Sequence, residues 1–237
     1  MDRFDSPRQQ PAWISASTEE MAVRERAFFR SVYGWMFGGL LLTTLAAWAV
    51  TQSVAMQQLV LGTGAWIVLF LAELGLVFYL SSRITKITPQ TAGILFLTFS
   101  LLNGLSLSSV FLIYAKTSIL NAFVGAAGMF GAMALYGTFT KRDLGSWGSF
   151  FMMGLMGVVI LSIVNIFMAS SAINFTIGVV GIFVFLGLTA YDHWKLKRWA
   201  HAGGGMQQNL AIIGALELYL DFVNLFLMLL RVFGRRR

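Results

Sequence analysis

The sequence predicts an all-α membrane protein, and three observations support that fold class. The chain has 237 residues, of which 57% are hydrophobic and only 11% charged, whereas soluble domains typically carry about 25% charged residues. Its mean hydropathy is +0.75. It also contains apolar runs of the length that a helix needs to cross a bilayer, about 20 residues each. None of these runs alternates between apolar and polar residues, so membrane-spanning strands are not predicted.

Seven predicted spans follow one another closely. They lie at 31–51, 58–80, 91–114, 118–139, 147–168, 172–192 and 209–232. This order divides the chain into a polar N-terminal tail, a seven-helix transmembrane domain and a basic C-terminal end, at 1–29, 30–234 and 235–237. The tail mixes acidic and basic residues and does not have the pattern of a removable signal peptide.

The fourth span contains small residues at a spacing of four. Ala127 with Gly131, and Gly128 with Ala132, form pairs of the kind that let helices approach closely. We expect these pairs to pack inside the bundle; the alternative is a dimer face.

The distribution of lysine and arginine predicts the orientation. Connections rich in these residues alternate with connections poor in them, which places the N-terminus in the cytoplasm. The richer connections are 81–90, 140–146 and 193–208. The seventh run is long enough to cross, which would put Arg235–Arg237 outside; the alternative is a re-entrant segment with these arginines inside.

The net charge of +7 is therefore attributed to segment ends that meet lipid headgroups, and no nucleic-acid partner is predicted. The absence of cysteine excludes disulfides, thiol catalysis and cysteine zinc sites.

Charged residues inside the spans are the strongest functional signal. A carboxylate at bilayer depth costs about 2.5–3.5 kcal/mol on insertion scales, so such groups usually serve a function. Asp192 and Asp221 lie in consecutive spans, and we expect them to meet and to titrate as one coupled unit. Arg83 lies ten residues from Glu73 in the second span. Arg231 lies equally far from Asp221 in the seventh, and both separations correspond to about 15 Å.

These depths predict two charged layers. Arg83 would lie beside the two aspartates on the cytoplasmic side, and Glu73 beside Arg231 on the outer side. The alternative for Glu73 and Arg231 is a purely structural ion pair.

Three further polar residues are candidate modulators of the aspartate site. Glu217 lies one helical turn before Asp221, on the same face, and either adds a third carboxylate or faces the cytoplasmic mouth, which we favour. His193 follows Asp192 and could modulate it, although we expect this histidine and His201 to be solvated at the interface. Asn224, like the polar residues of the third span, either hydrogen-bonds between helices or lines an ion path.

Several motifs resemble those of the transmembrane Bax inhibitor motif family, also called the Bax inhibitor-one family, and most closely its bacterial members. The resemblance covers roughly residues 30–234, and its most specific part is the run around the second aspartate. The motifs are Val32-Tyr33-Gly34-Trp35, Thr140-Lys141-Arg142-Asp143-Leu144, Tyr191-Asp192 and Leu218-Tyr219-Leu220-Asp221-Phe222-Val223-Asn224-Leu225-Phe226, running on to Leu230-Arg231.

The resemblance implies a seven-helix bundle with the C-terminal helix at its centre, in the bacterial inner membrane. It also implies a pH-sensitive calcium leak in which Asp192 and Asp221 are the pH sensor and a weak, transient calcium site. An arginine late in the second helix pairs with the first aspartate in that family, and Arg83 matches it, with Lys86 as the second choice. Glu217 departs from the family pattern, in which an uncharged residue is expected. No enzymatic activity and no cofactor are implied; the expected partners are calcium as the transported ion, protons and membrane lipid.

Two other functions are open at the level of sequence. An intramembrane aspartyl protease would carry Gly-x-Gly-Asp at the second aspartate, where this chain reads Leu218-Tyr219-Leu220-Asp221. A non-conducting regulator would bind a membrane protease or a channel through the N-terminal tail.

Overall fold

The computed structural model describes residues 12–62, 64–202 and 206–237. Within these ranges the chain is helical apart from short connections and one isolated β-bridge. Seven of the helices are long and apolar enough to cross a membrane, which confirms the predicted fold class. The helices are α1 (Ala12–Thr51), α2 (Val54–Leu61), α3 (Ala65–Arg83), α4 (Pro89–Ile113), α5 (Lys116–Phe139), α6 (Gly145–Met168), α7 (Ser171–Ala202) and α8 (Gln207–Phe233).

The first two predicted spans differ from the observed helices. Helix α1 already includes residues 12–29, which the sequence assigned to the tail, and Phe28 is buried in the core; residues 1–11 lie outside the described chain. The second predicted span is interrupted between α2 and α3. Gly64 there has a φ of +88°, a left-handed conformation that glycine adopts without steric strain. Because the run is apolar on both sides of this glycine, its hydropathy does not indicate the interruption.

Helix α8 packs against α1, α4, α5 and α7 and is the most buried of the seven spanning helices. Helices α3 and α6 are peripheral and expose most of their side chains. This arrangement places the charged residues of α8 in the interior of the bundle.

Close helix packing uses small residues other than those predicted. A Cβ atom on Gly137 of α5 would collide with the carbonyl oxygen of Ala190 in α7, so only glycine permits this approach. Gly128 and Gly131 have no neighbouring atom within 4 Å at the corresponding position. The predicted internal packing of the small-residue pairs is therefore wrong, because the opposite side of α5 faces the bundle.

Hydrogen bonds at the two ends of α8 show that this helix crosses the bundle. At its start, Asn209 Nδ2 donates to the carbonyl oxygens of Ile84 (2.6 Å) and Ile87 (2.8 Å) in the α3–α4 connection. Beyond its end, the N–H of Ala115 in the α4–α5 connection donates to Arg235 O at 3.0 Å. These connections lie at opposite ends of α4, so the re-entrant alternative is excluded. We call the end of the bundle where α8 starts the N-terminal face, and the end where α8 finishes the C-terminal face.

Candidate functional site

Two aspartates meet at the interface between α7 and α8. Asp192 is 7% exposed and Asp221, close to the midpoint of the 27-residue α8, is 5% exposed. Their carboxyl groups are close enough to interact electrostatically. The structure thus brings together the two residues that the sequence selected, in surroundings that are largely apolar.

Lys195 is the cation at this site. Its Nζ atom lies 2.8 Å from Asp192 Oδ1 and 2.8 Å from Glu217 Oε2, so one ammonium bridges α7 and α8. The ammonium also lies 5.4 Å and 5.1 Å from the ring centres of Tyr191 and Trp199, close enough for cation–π attraction. Of the two alternatives for Glu217, the structure thus corresponds to a third carboxylate at the site.

Sequence reasoning assigned Lys195 to a connection and therefore missed it. The sixth predicted span ended at Asp192, but α7 continues for ten more residues to Ala202. In a continuing helix, a residue three positions later lies on the same face. The signal was therefore present as the spacing of Asp192 and Lys195, once the helix is extended.

The predicted ion pair between Arg83 and Asp192 is absent from the structure. Arg83 is exposed at the end of α3, as is Lys86 in the following connection. Helix α3 packs mainly against α4, so its end does not reach the aspartates. Lys195 pairs with Asp192 instead.

The charges of this cluster do not balance. Three carboxylates, on Asp192, Glu217 and Asp221, surround one ammonium. Asp221 Oδ2 is buried without a hydrogen-bond partner among the described residues, and an unpaired ionised carboxylate is unfavourable in a low-dielectric interior. One ammonium therefore cannot balance the cluster if all three carboxyl groups are ionised.

Exposure within the cluster falls with depth. The side chain of Glu217 is 28% exposed and that of Asp192 is 11% exposed, whereas Asp221 is almost fully buried. Glu217 lies one turn nearer to the N-terminal face than Asp221, about 6 Å along α8. The carboxylates therefore form a short path from that face towards the centre of the bundle.

Glu73 belongs to a separate hydrogen-bonded network. Asn103 Nδ2 and Ser106 Oγ donate to its two carboxylate oxygens, the first at 2.9 Å. Tyr219 OH donates to Asn103 Oδ1 at 2.9 Å and lies 2.6 Å from the hydroxyl of Thr43. This network connects α1, α3, α4 and α8, and it satisfies a carboxylate on an otherwise peripheral helix.

The predicted pair of Glu73 and Arg231 is not formed. Arg231 Nη1 is buried without a hydrogen-bond partner within the described ranges, and the aliphatic part of this side chain lies beside Gly178 of α7. Through Asn103, Glu73 is linked to Tyr219, which lies twelve residues before Arg231, about 18 Å along α8. The predicted equal depth of Glu73 and Arg231 is therefore wrong. Glu73 points towards α4 because α3 packs there.

His193 is fully buried, so the prediction that it is solvated is wrong. Its Nδ1 lies 2.7 Å from Thr189 O, to which it must donate, and its Nε2 lies 2.9 Å from Tyr33 OH. In the neutral ring, Nε2 then accepts from the tyrosine. The rings of Phe29 and Phe130 pack against the imidazole, and this contact joins α1 and α5 to α7.

Asn224, the third candidate modulator, and His201 form no hydrogen bond with the carboxylate cluster among the described residues. His201 is exposed, as predicted, and its Nε2 lies 2.7 Å from Glu25 Oε2. Asn224 Nδ2 donates to Leu220 O of its own helix at 2.8 Å. This bond satisfies the asparagine locally rather than between helices.

Comparison with known proteins identifies the family. A family model described as "Inhibitor of apoptosis-promoting Bax1" matches residues 25–237. The chain belongs to the Bax inhibitor family. The inner membrane protein YbhL of Escherichia coli is 43% identical over 242 residues, covering 100% of both chains. The uncharacterized protein RP147 of Rickettsia prowazekii is 43% identical over 214 residues, covering 90% of this chain and 91% of the relative. An uncharacterized protein of Borreliella burgdorferi is 37% identical over 228 residues, covering 94% and 98%.

The site of this Bax inhibitor family member presents carboxylate oxygen atoms, the kind that bind hard cations. In the described part of the chain, no three acidic, histidine or cysteine side chains are placed to hold a metal ion. Lys195 lies between Asp192 and Glu217, where it supplies the positive charge that these carboxylates require. A cation that enters the cluster therefore has to compete with the lysine.

Proposed function

We propose that this Bax inhibitor family protein is a pH-sensitive calcium leak of the bacterial inner membrane. The observation that carries the proposal is the pair of buried carboxyl groups on Asp192 and Asp221, which lie on adjoining helices beside Lys195. The likeness to an Escherichia coli protein named as an inner membrane protein supports the location.

In this mechanism Lys195, rather than Arg83, is the latch, meaning the cation that holds the closed conformation together. With a proton shared by the aspartates, the ammonium bridges Asp192 and Glu217 and holds α7 against α8. Loss of the proton adds a negative charge, which favours entry of a cation and so shifts the equilibrium between closed and open conformations.

Calcium is the transported ion in this proposal. It normally takes about six to eight oxygen ligands, and the aspartate pair supplies at most about four. Because Lys195 also competes for Asp192, calcium binding is weak and transient, which suits a passive leak better than storage.

Calcium flux into reconstituted vesicles tests this function. Flux is measured over a pH series for the wild type and for the combined variant Asp192→Asn and Asp221→Asn. The wild type should show pH-dependent flux, and the variant should lose that dependence. Asp143→Asn is the matched control, because Asp143 is an exposed aspartate that caps Gly145 N at 2.8 Å and lies outside the cluster. An unaltered pH profile in the double variant rejects the pH switch.

A second candidate function is a regulator that binds another membrane protein. It is favoured by the start of α1, where Met21 and Val23 are 47% and 63% exposed on a helix that extends ahead of the packed core. Deletion of residues 2–24 tests it, since it removes Met21 and Val23 while the core contact of Phe28 is retained. Loss of partner capture with intact calcium flux would support the regulator; flux lost together with capture would argue against separate roles.

The protease alternative gains no support. Leu218 and Tyr219, which precede the second aspartate, are fully buried and bulky. A substrate backbone would therefore have to displace packed side chains to reach Asp221.

A further inference from the structure

An apolar groove runs along the outside of the bundle between α1, α4, α5 and α8. Its volume is about 440 Å³. Its walls extend from Phe222, near the midpoint of α8, to Lys116 at the C-terminal face. On α1 it runs from Leu40 to Trp48, which corresponds to about 12 Å along the helix. Among the described residues that line it, Lys116 alone is charged.

Three further cations follow one another close to Lys116, although Arg235 itself lines a neighbouring pocket with Thr117 and Ser118. The C-terminal residues Arg235–Arg237 pair with the α4–α5 connection, where Tyr114 and Arg236 form an antiparallel bridge. Ala115 N donates to Arg235 O at 3.0 Å, and Arg237 N donates to Ile113 O at 2.9 Å. This pairing holds three exposed arginines within a few residues of the exposed Lys116.

No acidic residue offsets this charge in the connections of the same face. The segments 52–64, 114–117, 169–171 and 234–237 contain neither aspartate nor glutamate. The mouth is therefore positive at the level of the lipid headgroups, above a groove that is apolar at the level of the acyl chains.

We propose that this groove binds one anionic phospholipid, with its phosphate at Lys116 and Arg236 and one acyl chain against the apolar walls. Basic pockets between transmembrane helices are suited to anionic headgroups, and a phospholipid matches both the charge at the mouth and the apolar length below it. This lipid site lies at the C-terminal face, whereas the carboxylate cluster extends towards the N-terminal face. The lipid proposal therefore does not depend on the calcium function.

Native mass spectrometry of the full-length protein, released from detergent, tests the headgroup contact. Phosphatidylglycerol and phosphatidylcholine with identical acyl chains are titrated separately. Phosphatidylglycerol should bind more tightly. The combined variant Lys116→Gln and Arg236→Gln should weaken its binding about 25-fold, since each cation near the headgroups contributes about fivefold, and should leave phosphatidylcholine unaffected. The matched control is Lys141→Gln with Arg142→Gln, which removes two exposed cations from the N-terminal face and should change neither affinity.

A second variant tests the groove itself. Thr44 is exposed and lines the groove, so Thr44→Trp should fill it without disturbing the core and should weaken binding of both lipids. Thr44→Ser is its conservative control and should bind as the wild type does. Unchanged melting temperatures show that each variant is folded.

Three results would overturn the proposal. Equal affinity for the two lipids would show that the cations do not recognise the charge of the headgroup. Unchanged lipid binding by Thr44→Trp would show that no acyl chain occupies the groove and that the lipid is held only by surface charge. A two-chain species in the absence of lipid that Thr44→Trp abolishes identifies the groove as an interface between copies of the protein.

Discussion

Replacement of Lys195 by methionine tests the central electrostatic argument. The change keeps most of the side-chain volume but leaves Asp192 and Glu217 without their shared cation. Removal of one partner from a fully buried ion pair costs about 3–5 kcal/mol, whereas exposed pairs are worth about 0–1 kcal/mol. The Lys195 side chain is 20% exposed, so we expect a loss of about 2 kcal/mol. For a chain of this size that corresponds to a fall in melting temperature of roughly 4–8 °C.

Intrinsic tryptophan fluorescence of the purified protein in detergent measures this change. Lys197→Met is the matched control, because Lys197 lies on the same helix and its Nζ donates to Thr138 O at 2.9 Å rather than to a carboxylate. Adding Glu217→Gln to Lys195→Met should recover part of the lost stability, since it removes one of the two unpaired charges. If Lys195→Met lowers the melting temperature no more than Lys197→Met does, the cluster is not held by this lysine and the reasoning fails.

The same variant separates a structural lysine from a latch. If Lys195 competes with calcium, Lys195→Met should increase calcium leak in vesicles at every pH, because the competitor is absent. A lower melting temperature with unaltered calcium flux would support a structural ion pair at Lys195 and would reject the role of this lysine as a latch.

Three further outcomes follow from the packing and the hydrogen bonds. Gly137→Ala should lower the melting temperature by several degrees, because the added methyl group collides with a carbonyl oxygen of α7, whereas Gly131→Ala on the same helix has free space and should not. A double-mutant cycle with Glu73→Gln and Arg231→Gln, followed by thermal melting, should give a coupling energy near zero; a coupling above about 1 kcal/mol would mean that these residues do pair. Tyr33→Phe should cost about 1–3 kcal/mol in the same assay, because it leaves a buried imidazole nitrogen without its donor, and an unchanged melting temperature would contradict that hydrogen bond.

The seven spans could be predicted because hydropathy accumulates over about 20 residues, so errors at single positions do not matter. Helix ends could not be predicted as well. The sixth span was ended where charged residues begin, yet α7 continues to Ala202 with its charged side chains turned towards carboxylates and aromatic rings. The mean hydropathy of a segment does not indicate where a helix ends when its polar side chains pair with groups elsewhere in the protein.

Neither the depth of a charged residue nor the rotation of its helix could be predicted from spacing alone. The charged residues of the second and seventh spans were placed in two layers, yet Glu73 is linked through Asn103 to Tyr219 rather than to Arg231, and Arg83 is exposed. Rotation depends on which helices pack against which, and one sequence does not contain that information locally. The aspartates escaped this limit because the helices that carry them are consecutive and pack against each other along much of their length.

Lys195 lies on the same helix as Asp192, and this position decides which contact would have to break if the protein opened as proposed. A lysine three residues away moves with Asp192 as one rigid helix, so their ion pair survives any displacement of α7. The contact of Lys195 with Glu217 joins two helices and cannot survive their separation. The interhelical latch is therefore Lys195 with Glu217, and it depends on the one carboxylate that departs from the uncharged residue expected in the family. In the proposed mechanism, Glu217 sets the strength of the closed state, while the proton on the aspartate pair sets the charge that works against it.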